Sequence, residues 1–459
     1  MSIRSCFIVV AAVAVAVSAA AEATAQTAAP APRQGTDGLF GRESGKPNPR
    51  HKLDLSVTAG EGYDTDVPTE VRTQIGMGAN STAGSATQAS VTAAYAWMKP
   101  KVQLRANATS WLRAFHPVGT LQYRVAPSFS HTGSVAMSAR LSQRTTLRVT
   151  QVAMVSPAAL YNLIPQPTEA IQGDLTTMPS APPEYAMSGS ESRSSVTSVS
   201  LGRALSSRTN FEATADYQFS ATIGGPNGGR ELAALGVRGT VSRQLAPHTT
   251  AVGSVGYRRG TSGVRDGSIP SGRQADLSAD GGLDYRPALS PTRHLSLGFR
   301  AGFARFEIPE FEAAALGTRR YDRVTGEITM GYEFGRTWQA RGIVRRGAEY
   351  VPGLVAPVSA DSFSVSLDGL FARRLDFFLS AGFSSGKSLF TRRTSFYDTY
   401  AGEARLGYAV TRMVALSVGY VYYLYDTHGS DPLVSDFPAL LQRQGVRASL
   451  VMRVPALRR

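Results

Sequence analysis

The chain has 459 residues, 48 Lys and Arg against 34 Asp and Glu, a formal net charge of +14 and a single cysteine. That cysteine, Cys6, sits inside an apolar N-terminal run, so disulfides, thiolate-bound metal and thiol catalysis are excluded from everything after it. No later stretch is apolar over the ~20 residues that a membrane-spanning helix needs, which excludes helical spans there.

Arg4 precedes an apolar run from Cys6 to Val17, and two small-x-small sites follow at Ala21-Glu22-Ala23 and Ala23-Thr24-Ala25. This pattern predicts a signal peptide over 1–25 and an exported protein. Residues 26–52 carry Pro30, Pro32, Pro47 and Pro49 among Gly and charged residues, which predicts a flexible periplasmic leader. It would act as a spacer, or alternatively as a docking tail for a periplasmic partner.

From residue 53 onward the chain alternates apolar and polar residues with period two. After the turn Leu205-Ser206-Ser207-Arg208-Thr209, Phe211, Ala213, Ala215, Tyr217 and Phe219 share one strand face, and Glu212, Asp216 and Gln218 share the other. The same alternation recurs after Leu141-Ser142-Gln143-Arg144-Thr145, Leu245-Ala246-Pro247-His248-Thr249, Leu289-Ser290-Pro291-Thr292-Arg293, Phe334-Gly335-Arg336-Thr337 and Val410-Thr411-Arg412. The runs last roughly ten to fourteen residues, against about five or six for an ordinary strand and nine to eleven for one that crosses a bilayer. A soluble sandwich would have shorter strands. A propeller blade would divide a repeat of roughly forty residues among four of them.

The expected fold is all-β: one transmembrane antiparallel up-and-down barrel over 53–454, followed by a tail at 455–459. Strands are predicted at 53–63, 88–98, 101–113, 121–142, 146–156, 192–205, 209–221, 231–245, 249–260, 273–287, 292–306, 320–335, 337–349, 360–373, 376–386, 397–410, 413–426 and 443–454. This gives about 18, with 16 as the alternative if 121–142, which contains Pro127 and Gly133, is misread. An even count puts both termini in the periplasm, short turns on that side and long loops outside. Short helices are expected within 157–191, 307–318 and 431–441, the first of which would either constrict the mouth or decorate the surface. The destination is the bacterial outer membrane.

Eighteen strands enclose an aqueous channel. Parity turns Arg105, Arg113, Arg238, Arg300, Arg341, Arg345, Arg405 and Arg447 inward as the substrate path, with Lys101, Arg148 and Arg453. Glu212, Asp216, Asp280, Asp284, Glu327, Glu333, Asp368 and Glu403 face the same way. Such guanidinium groups would bind carboxylate or phosphate, or alternatively brace neighbouring carboxylates across strands. Arginines at turns and loops would meet outer-membrane lipid and lipopolysaccharide. Nucleic acid has no motif here. The six histidines lack metal spacing, so no metal, cofactor or catalytic residue is expected, and the neighbours Ser130 and His131 have no context that marks them as catalytic.

The opening strand from Leu53 to Asp66, with its Gly62-Tyr63-Asp64 element, and the Ser/Arg/Thr hairpins after it resemble the outer-membrane β-barrel porins associated with exopolysaccharide operons. These are similar in architecture to alginate-export porins. The resemblance implies passive export of an exopolysaccharide, acidic in character, by a monomer that receives it from a periplasmic polysaccharide-export protein. The alternatives are a general or anion-preferring diffusion porin for small anionic solutes, and a structural or adhesive barrel with a closed lumen. One departure is the ending Arg453-Val454-Pro455-Ala456-Leu457-Arg458-Arg459, which lacks the terminal aromatic residue of many barrels.

Overall fold

In the computed structural model, residues 50–65, 83–117, 126–156, 191–223, 230–264, 272–290, 292–307, 320–335, 337–349, 358–388, 396–426 and 440–458 are described. Their regular structure is entirely β. The elements are β1 (His51–Asp64), β2 (Gly84–Met98), β3 (Val102–Pro117), β4 (Ala126–Arg140), β5 (Thr145–Ser156), β6 (Glu191–Ala204), β7 (Thr209–Ile223), β8 (Arg230–Ala246), β9 (Thr249–Val264) and β10 (Gly272–Tyr285). They continue as β11 (Ala288–Ser290), β12 (Arg293–Glu307), β13 (Arg320–Phe334), β14 (Trp338–Glu349), β15 (Val358–Ala372), β16 (Leu375–Ser388), β17 (Phe396–Ala409), β18 (Val414–Asp426) and β19 (Leu440–Arg458).

Each strand pairs antiparallel with its sequence neighbours, and β1 pairs with β19 to close the ring. The three-residue β11 pairs with the start of β12 only, beyond Arg286-Pro287, where proline offers no N–H to carry the ladder of β10 onward. Eighteen strands therefore span the wall. With neighbours about 4.8 Å apart and a tilt near 40°, the backbone shell has a radius of roughly 18 Å, too wide for its own side chains to fill.

Burial shows which face is which. Val57, Val91, Leu235, Val255, Phe299, Val418 and Val446 are exposed on the outer wall, whereas Ser56, Thr92, Ser220, Ser254 and Ser366 are buried on the inner one. A polar inside and an apolar outside make this a transmembrane barrel of the bacterial outer membrane. At the short-turn end, outward aromatic side chains form a girdle: Phe334 stacks on Trp338 at 5.9 Å, and Trp338 meets Phe371 edge-on at 4.9 Å. Such rings settle where hydrocarbon meets headgroups.

The Ser/Thr turns close the hairpins as the sequence implies. In the turn after β6, Ser206 Oγ accepts the Arg208 and Thr209 amides at 3.2 and 3.0 Å, while after β17 Thr411 Oγ1 accepts those of Met413 and Val414 at 3.1 and 3.0 Å. After β12's partner, Gly335 takes a positive φ of 68° that a side chain would resist.

Several expectations need correction. The strand expected at 121–142 runs from Ala126 to Arg140 and is not split; Lys101 lies in the turn before β3 and not on the wall. The closing strand does not stop at Pro455. It continues to Arg458: Pro455 pairs with Asp54 of β1, and its nitrogen, like that of Arg453 two residues earlier, turns to the β18 side, where the ladder has already ended and no N–H is required. Leu440 and Leu441, expected in a short helix, begin β19, and Glu307 ends β12. The remaining residues of the three expected loop helices, the signal peptide and all but the last residues of the leader lie outside the described residues.

Candidate functional site

Two sectors of the lumenal wall are unlike. The first runs over β7–β14, where arginines and carboxylates alternate between adjacent strands. Arg258 Nη2 donates to Asp216 Oδ2 at 2.9 Å. Arg238 Nη1 donates to Asp280 Oδ1 and to Ser254 Oγ, both at 2.7 Å, and Ser254 itself donates to Asp280 at 2.7 Å. Arg300 Nη2 reaches both oxygens of Asp284 at 2.9 Å, and Arg345 lies 3.7 Å from Glu327. Charge-assisted bonds of this kind fix the guanidinium planes against the wall. Glycine creates the room: a Cβ at Gly236 would stand 2.6 Å from Asp216 Oδ1. All of these groups except Ser254 and Asp284 border a cavity of about 360 Å³.

The second sector, β2–β6, places no carboxylate on the lumen among the described residues. Its inner face carries hydroxyls such as Ser90, Thr92, Thr109, Ser134 and Ser198, together with Arg105, Arg113 and Arg148. Arg113 is buried, whereas Arg105 and Arg148 are exposed to the lumen. This sector is therefore net positive. By position in the ring, β3–β5 stand across the lumen from β13–β15.

All eight arginines singled out from the sequence occupy inward positions in the register. Arg238, Arg300 and Arg345 join the paired sector, Arg341 donates to Gln339 at 2.5 Å, and Arg405 lies over the Phe378 ring at 5.3 Å. Arg447 lies against Gly62, where a Cβ would come within 2.9 Å of its Cγ. They form no single site; they are spread around the circumference.

Sequence reasoning passed over Arg258, Arg323 and Arg443. Arg258 shares the parity of Ser254 and Gly256, a signal sufficient to find it. Arg443 was missed because the strand was expected to start there. It donates to Asp64 Oδ2 at 2.7 Å with side-chain exposures of 2% and 1%, and Arg453 donates to Asp54 at 3.2 Å, so two buried ion pairs clamp the β1–β19 seam.

The neighbours Ser130 and His131 point to opposite faces. Ser130 is buried inside, and His131 on the outer wall instead meets Ser110 Oγ through Nδ1 at 3.0 Å. Among the described residues no three His, Cys, Asp or Glu side chains gather as metal ligands.

No family model matches the chain, and no curated protein matches it. Solved structures do. OccAB4 of Acinetobacter baumannii aligns at 12% identity over 89% of this chain and 100% of its own, with a TM-score of 0.40. OccK7 (OpdD) of Pseudomonas aeruginosa aligns at 10% identity over 89% and 99%, with a TM-score of 0.43. The siderophore receptor PirA of Pseudomonas aeruginosa aligns at 8% identity over 89% and 81%, with a TM-score of 0.39. Likenesses this distant assign neither family nor cargo, and the fold rests on the closed register described above.

Proposed function

We propose that this protein is a passive, anion-preferring diffusion channel for small solutes, without enzymatic activity, working as a monomer in lipid and lipopolysaccharide. The observation that carries this reading is the carboxylate-free inner sector of β2–β6, which presents Arg105 and Arg148 to the lumen. Beside it, the arginines of β7–β14 are largely neutralised by their own carboxylates. The net field inside the barrel therefore favours anions, and the eight inward arginines offer weak, replaceable contacts along the path. A conducting pore needs such sites, loose enough to release what they hold.

The test is the reversal potential of the purified barrel in a planar bilayer under a KCl gradient. Selectivity for chloride supports the reading, and selectivity for potassium or a sealed barrel refutes it. Export of an acidic polysaccharide would use the same guanidinium path with a periplasmic docking partner. A deletion strain that loses surface polysaccharide and accumulates it inside would replace the small-solute reading with that one.

A further inference from the structure

Every β-ladder in the wall can be followed toward the long-loop end, and at one place it stops while both strands continue for three residues or more. β13 and β14 pair from Phe334↔Trp338 up to Gly326↔Arg346 and no further. Above that pair, β13 goes on through Thr325 to Arg320, bonded to β12 alone. β14 goes on through Gly347 to Glu349, bonded to β15 alone. The ladder between β4 and β5 also stops early, at His131↔Val155, but there β5 itself ends one residue later. Between β7 and β8 a single position, Thr222 beside Arg230, lies beyond the last rung, Ala221↔Glu231. Among the described residues, only at β13–β14 do two strands run on side by side without a ladder for three residues or more.

Backbone groups left unpaired at membrane depth are tolerated where they line a water-filled cavity. That cavity is present: Thr325 and Gly347, the first residues on either side of the gap, both border the 360 Å³ lumenal cavity. A side chain also threads the gap. Arg323 alternates with Val324, which is 67% exposed on the outer wall, so Arg323 starts from the inner face. Its Nη2 nevertheless reaches Asp361 Oδ1 at 3.4 Å, and Asp361 belongs to the outer wall, where Arg346 holds it at 2.7 Å. Arg323 can meet Asp361 because the sheet is open between them.

The gap lies where the outer wall changes character. Just below it the outward side chains are Phe299, Ile328 and Val344; beside and above it are Arg305 paired with Asp322 at 2.7 Å, and Arg346 with Asp361. On the lumen side, Phe306 and Ala304 are buried next to Arg300 and Arg345. We propose that the β13–β14 gap is a lateral portal, latched by Arg323 on Asp361, through which single-chain amphiphiles with an anionic head exchange between the lumen and the outer leaflet. The head would travel along the arginine-bearing cavity wall while the chain passes between the strands at the level of Val324. This goes beyond axial diffusion of small anions and does not depend on it.

The mature barrel lacks cysteine, which allows a direct test. Thr325→Cys with Gly347→Cys flanks the gap, and Thr329→Cys with Ile343→Cys marks an intact rung of the same ladder. Air oxidation should close the rung pair and leave the gap pair reduced; equal oxidation of both would overturn the proposal. Bridging the gap pair with a short bis-maleimide should lower dodecanoate transfer from the lumen into the surrounding bilayer by about tenfold in proteoliposomes, with chloride conductance unchanged. Arg323→Ala, which removes the latch, should raise that transfer. Dodecanoate transfer that ignores the bridge, or is absent from an unmodified conducting barrel, overturns the portal. Loss of chloride conductance in the unmodified barrel instead counts against the diffusion channel.

Discussion

Replacing Arg443 by Met should weaken the barrel more than any other single change at its closing seam. Arg443 and Asp64 are joined at 2.7 Å with 2% and 1% of their side chains exposed, and Asp64 has one oxygen bonded to Arg443 and the other without a hydrogen-bond partner. The substitution leaves a buried carboxylate without its one hydrogen-bonded cation, with Arg447 and Arg113 acting on it only through space. Breaking a buried pair from one side typically costs about 3–5 kcal/mol, because the surviving charge loses its compensation. The second seam pair sets an internal scale. Asp54 holds Arg453 at 3.2 Å but also Lys52 at 3.4 Å, so Arg453→Met leaves a cation in place and should cost only about 1–2 kcal/mol. The pairing with Asp64→Asn should restore most of what Arg443→Met removes. Urea unfolding in detergent micelles, followed by gel mobility and tryptophan fluorescence, gives all four values. Equal losses for Arg443→Met and Arg453→Met, or a double variant as weak as the sum of its parts, would refute the clamp.

Three further expectations concern the wall. Arg105→Gln with Arg148→Gln removes two charges from the carboxylate-free sector. At about 8 Å in water, with 0.1 M salt halving each interaction, the pair should reduce the chloride-to-potassium permeability ratio about fivefold, read from the reversal potential. Val255, outward and 59% exposed in the middle of the apolar belt, should tolerate Leu, whereas Val255→Arg should cost about 2–4 kcal/mol in the same unfolding assay; a neutral result would mean the faces are misassigned. Ser206→Ala removes the hydroxyl that accepts two turn amides and should cost about 1 kcal/mol, with the pore unaffected in conductance.

The face of nearly every wall residue was legible in the sequence because side-chain direction along a strand has period two and one face meets hydrocarbon. That is how Arg105, Arg238 and Arg447 could be turned inward without any structure. Strand ends were less legible. Pro455 reads as a terminator because local rules forbid proline in a ladder, and what admits it, a β18 ladder that ends before it while β1 still pairs, depends on strands other than its own. The seam pairs were hidden for the same reason: Asp64 and Arg443 are 379 residues apart and meet only when the ring closes. Ser130 and His131 illustrate the opposite error, since adjacency in sequence separates two strand residues across the wall. The β13–β14 gap was not legible, because the change of the outward face from Ile328 and Met330 to Asp322 and Arg320 reads like any strand leaving the apolar belt, with nothing to show that the ladder stops there.

An open lumen whose fixed charge favours anions sets the sign of the zero-current potential. The most direct measurement is the zero-current potential of single barrels in a planar bilayer with tenfold more KCl on one side. The expected result is an open channel whose potential has the sign of chloride selectivity and moves toward zero in the Arg105→Gln, Arg148→Gln variant. A potassium-selective potential, or one unchanged by removing both arginines, would contradict the account.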